Sequence, residues 1–125
     1  MPKEVRASKD ETFVIARLFD RVSRDDLDKS VEEIERICGE RLTRRVLIDV
    51  SGCDVAPHAV DIVRLVSRLR GISPCPSRTA VVVAPDHSQD WDFIETAADN
   101  RGLILSCWKS LEDAQKWLEK PPHSP

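Results

Sequence analysis

Residues 46–50, Val46-Leu47-Ile48-Asp49-Val50, form a β-branched apolar run broken once, by a carboxylate. A run this short and this apolar fits a strand covered on both faces, as at the centre of a parallel sheet. The turn-forming cluster Ser51-Gly52-Cys53-Asp54 follows it. Pro57 suits the first turn of a helix, where its missing N–H has no partner to lose. From Ala59 onward the apolar residues fall at 59, 62, 63, 66 and 69, which is helical spacing. Strand, loop and helix together make the repeating unit of an open α/β sheet. In such sheets ligands and partners meet the loops at the carboxyl ends of the strands. The stretch 51–58 is therefore the first place to look for function.

The rest of the chain repeats the unit. Residues 12–19, TFVIARLF, read as a strand, and residues 3–7 pair with it as a hairpin. Ser23 with Asp26 three residues later is an acidic variant of the capping box. Leu27, Val31, Ile34 and Ile37 then mark one helical face, and Gly39 is expected to end that helix. Residues 79–84, TAVVVA, and 103–107, LILSC, read as two more buried strands. Between them Trp91, Ile94, Ala97 and Ala98 carry helical spacing. Ser110 and Asp113 start a last helix with Leu111, Ala114, Trp117 and Leu118 inward, stopped by Pro121-Pro122. The expected order is β-β-α-β-α-β-α-β-α, a mixed sheet with a parallel centre and helices packed on it.

A length of 125 residues fits one domain, 1–125, with segments 1–8 and 121–125 the least tied to it. A net charge of −3 gives no overall attraction to nucleic acid or to anionic membranes. The longest apolar run is too short to span a bilayer. The four cysteines, Cys38, Cys53, Cys75 and Cys107, form no CxxC pair, and no His stands at ligand spacing from them. No metal and no cofactor are expected. The opening MPKEVRASKDE lacks the apolar region of a signal peptide, so the reading is cytoplasmic, with reduced thiols and no disulfide.

The element order resembles the STAS superfamily, whose best-known members are bacterial anti-sigma factor antagonists. Two motifs carry the likeness: VLIDVSGCDV at 46–55 and LILSCWKSLEDAQKWL at 103–118. The resemblance implies a STAS-like fold and a non-enzymatic regulatory role exercised by contact with another protein. Antagonists of this kind carry a phosphorylatable Ser in an Asp-Ser-Ser-Gly-type turn at the start of the helix after the central strand. Here that place reads Val55-Ala56-Pro57-His58-Ala59, without the hydroxyl. Control by serine phosphorylation at the helix start is therefore not expected, and protonation of His58 is the lever these residues offer. A fainter likeness, in LIDV at 47–50 and WKSLE at 108–112, is to response-regulator receivers. Receivers need paired acids after the first strand to hold magnesium. This chain has Leu18-Phe19-Asp20-Arg21, leaving Asp20 and Asp49 as the only oxygen ligands at hand.

Each candidate site residue has a commoner structural role. Asp49 could be aimed at a ligand, but a carboxylate within a strand more often accepts backbone hydrogen bonds or pairs with an arginine. Ser51 and His58 suggest a nucleophile and its base, yet no elbow motif surrounds Ser51. Asp54 fits a helix cap. Asp86 and His87 follow the next strand and could flank the same edge, or simply form a turn. Arg64 and Arg68 lie one helical turn apart and could bind a phosphate or an acidic partner, or be a solvated face. Of the tryptophans, Trp117 belongs to an apolar face, and Trp91 stands between two acids. The leading expectation is a protein-interaction domain that presents the surface from Ser51 to Arg70. The second is a binder of a small apolar or phosphorylated ligand, lipid-like or nucleotide. The third is an enzyme using Ser51 or Asp49. A homodimer is compatible with all three.

Overall fold

The structure, a computed structural model, describes residues 3–7, 13–41, 45–53, 59–69, 78–84, 91–100 and 104–119. Its elements are β1 (Lys3–Ala7), β2 (Val14–Asp20), α1 (Arg24–Arg41), β3 (Arg45–Cys53), α2 (Ala59–Leu69), β4 (Arg78–Val82), α3 (Trp91–Asn100), β5 (Leu105–Trp108) and α4 (Leu111–Glu119). This is the order expected from the sequence. The strands form one sheet in the order β1-β2-β3-β4-β5. β1 runs antiparallel to β2, and every other pair is parallel. The two most apolar runs are neighbours, with Ile48 level with Val81 and Leu47 with Ala80.

Side chains alternate along each strand, so the sheet has two apolar faces. Val14, Ala16, Leu18, Val46, Ile48, Val50, Val81 and Cys107 lie in one cluster with Leu27, Val31 and Ile34 of α1, Val63 and Leu65 of α2, and Ile94 and Ala98 of α3. Phe13, Ile15, Leu47, Ala80 and Val82 pack on the other face against Ala114 and Leu118 of α4. This two-sided burial is why β3 and β4 read as near-continuous apolar runs and not as alternating ones.

The caps follow the sequence signals. At the start of α1, Ser23 N–H donates to Asp26 Oδ2 (2.9 Å) and Asp26 N–H donates to Ser23 Oγ (3.1 Å), a reciprocal box. At α4, Asp113 N–H donates to Ser110 Oγ at 3.4 Å. Asp20 closes β2 with φ at 56°, a left-handed position that a short polar side chain tolerates.

Three local expectations are corrected. Gly39 does not end α1, which continues to Arg41. A Cβ placed at Gly39 would meet nothing, so this glycine serves neither a turn nor a close approach. The Ser51-Gly52-Cys53 cluster is not a turn but the last part of β3. After a register shift between Arg17 and Phe19, β2 stays paired with β3, Phe19 level with Gly52 and Asp20 with Cys53. A Cβ at Gly52 would stand 3.3 Å from Phe19 Cβ, so the glycine serves close strand approach. Finally, the last strand begins at Leu105, and Ile104, expected inside it, is 62% exposed.

Candidate functional site

The carboxyl edge of the sheet on the α4 face is built by register. Arg17, Asp49, Val82 and Trp108 are level on four successive strands. Asp49 is 5% exposed and sits inside β3, not at its end. Its Oδ1 accepts the Ser51 N–H at 2.9 Å and the Ser51 hydroxyl at 2.6 Å. Its Oδ2 faces Arg17 Nε at 3.7 Å. The buried carboxylate thus has both an arginine and local donors, the structural role anticipated for it. Ser51 is exposed, with its hydroxyl proton committed to Asp49. Half of the Arg17 side chain is in water, so the ion pair is screened, and the two hydrogen bonds from Ser51 hold the carboxylate. Asp49→Ala should cost about 1–3 kcal/mol, because two hydrogen bonds from Ser51 to a charged acceptor are lost. Urea unfolding would show this as a lower midpoint.

Arg64 and Arg68 lie on the outer side of α2. Arg68 Nη1 contacts Asp28 Oδ1 of α1 at 2.7 Å, and Arg24 of α1 reaches Asp61 of α2 at 3.5 Å. Two ion pairs therefore link α1 and α2, and Arg68 is engaged by them. Arg64 is exposed and lines a slight depression between them with Arg24, Leu27 and Leu65. Asp54, His58, Asp86 and His87 lie outside the described residues. Among the described residues no three His, Cys, Asp or Glu side chains cluster to hold a metal ion. No described helix is long and apolar enough to cross a membrane.

Between α2 and α3 an open groove of about 470 Å³ is lined by Val63, Asp92, Phe93, Thr96, Ala97 and Asn100. Phe93 is 52% exposed. The three thiols described differ in setting. Burial pushes Cys38 up to about 11, and burial aided by the Glu95 carboxylate pushes Cys107 up to about 12. Cys53 is half-buried and donates to Leu18 O at 3.5 Å.

Raised thiol values fix the sign of an alkaline effect. Above about pH 9 the unfolded thiol ionises while the folded one keeps its proton. That stability is present below the unfolded value and is lost as pH climbs through 9 towards the folded values of about 11 and 12. The thermal midpoint should fall over this window, less steeply in Cys107→Ala. An equal slope in the two proteins would contradict the assignment.

Solved structures share this architecture, two of them over most of the chain. One is an uncharacterized DUF3478-family protein from Shewanella loihica PV-4 with a SpoIIAA-like fold. It is 16% identical over 93% of this chain and 91% of that chain, with a TM-score of 0.61. The other is the anti-sigma factor antagonist SpoIIAA in its unphosphorylated form, 14% identical over 93% of this chain and 95% of that one, with a TM-score of 0.63. The fold is SpoIIAA-like. No protein-family model and no curated protein matches the sequence.

Within this fold, sequence reasoning missed three residues. Arg17 follows Ile15 on the same face of β2, a charge in a β-rich run, but its cross-strand partner depends on register. Phe93 falls off the apolar stripe of α3, between Asp92 and Ile94. Glu95 looks like one more helix acid, yet its Oε2 accepts the Cys107 N–H at 3.0 Å, across to β5.

Proposed function

We propose that this chain is a non-enzymatic regulatory domain that works by binding another protein, resembling the anti-sigma factor antagonists but without their serine switch at the helix start. The observation that carries this reading is the likeness to SpoIIAA over 93% of the chain. The sequence adds that Pro57 and His58 stand where the acceptor serine would be. The partner surface is the end of β3 and the outer side of α2. Ser51 and Arg64 are exposed there, and the ion pairs of Asp28 and Asp61 brace α2 against α1. Phosphosite mapping on protein from cells should find no stoichiometric phosphoserine at Ser51.

A second reading, binding of a small apolar or phosphorylated ligand, draws on the groove between α2 and α3 with Val63 and Phe93 in its wall. Native mass spectrometry of protein taken gently from its source separates the two. A complex with a second protein supports the regulatory reading. A stoichiometric small molecule on the isolated chain supports the other and contradicts the first.

A further inference from the structure

Of the two sheet edges, β1 carries charge and β5 does not. On β1 the exposed Glu4 and Arg6 pair with each other at 3.0 Å, and charged edge strands discourage added strands. Residues 104–108, Ile-Leu-Ser-Cys-Trp, carry none. The ladder fixes which β5 groups point outward. Ile104 O accepts from Thr79 N–H and Trp108 O from Val83 N–H, so even-numbered residues bond to β4. Leu105 and Cys107 then turn their backbone groups to the edge that no other described strand covers. The Cys107 N–H is the one that the Glu95 carboxylate takes, at 3.0 Å.

We propose that Glu95 is an autoinhibitory contact that closes a latent strand-addition site on β5, and that the strand it excludes is β5 of a second copy. A side-chain oxygen stands where a partner carbonyl would bond. The geometry of β5 is self-complementary. In an antiparallel pair centred on Ser106, Leu105 and Cys107 of each copy face each other and exchange backbone bonds. Ser106 then lies opposite itself. Ile104, 62% exposed in the single chain, lies opposite Trp108 of the second copy and is covered by it. No like charges meet across the pair. The strand is only four residues long, so one occupied donor per copy is enough to tip the balance. Releasing Glu95 exposes the donor and allows association.

Sedimentation of the full chain tests this. The native protein should stay monomeric, and Glu95→Ala should associate roughly tenfold to a hundredfold more tightly, since one backbone bond per copy is regained. Ser106→Cys added to that variant should give a 106–106 disulfide, mapped by mass spectrometry, because residues opposite each other in a non-hydrogen-bonded pair approach to about 4.5 Å. The same cysteine with Glu95 intact should stay uncrosslinked. Circular dichroism checks folding first. Glu95→Asp, one methylene shorter and still a helix acid, serves if the alanine variant does not fold. A folded, monomeric variant would overturn the proposal. So would association without the 106–106 link, or a native protein already joined through β5.

Discussion

Ile48→Ala should lower the unfolding free energy by about 2–5 kcal/mol, the range for emptying a buried aliphatic site. Ile48 is 1% exposed, level with Ala16 on β2 and Val81 on β4, and packs in the larger core cluster. It is part of the face that binds α1, α2 and α3, so no single helix can move in to fill the space. Chemical denaturation with a fixed slope would show the loss as a lower midpoint. An unchanged midpoint would contradict the central position of β3.

Leu118→Ala should have an effect of similar size, about 2–5 kcal/mol, on the opposite face. Leu118 is fully buried, and with Ala114 it supplies the buried side chains of α4. Alanine 114 contributes little area, so Leu118 is the main apolar anchor. Leu111 and Trp117 are only partly buried, with Trp117 held by Arg78, which donates to its carbonyl at 3.0 Å and lies over its ring at 5.5 Å. Hydrogen exchange should show α4 opening first in the variant, ahead of β3 and β4. Loss of protection spread evenly over the sheet would contradict a separate α4 layer.

The fold was legible because its signals are local. The apolar runs around Ile48 and Val81, the Ser23–Asp26 box and the spacing of Leu27, Val31 and Ile34 each specify one element without reference to another. The α/β order follows from them, and right-handed crossovers leave few topologies. What could not be read is whatever depends on two segments meeting. Gly52 looks like a turn former, and only the nearness of Phe19 makes it a strand residue. Gly39 carries the stop signal of a helix, but an exposed glycine within the last turn is tolerated when Ile37 and Cys38 before it are buried. Asp49 was visible as an interruption in β3, whereas Arg17 as its partner required the β2–β3 register. Glu95 differs from its neighbouring acids only through the edge it reaches.

The proposed role depends on where a partner touches the domain, and site-specific photo-crosslinking reads that directly. Benzoylphenylalanine would replace Arg64, on the exposed side of α2, and in a second protein Glu112, exposed on α4 on the far face of the sheet. Irradiation in the source cells should give one discrete protein adduct from position 64 and none from position 112. Adducts of equal yield from both positions, or none from 64, would contradict the account.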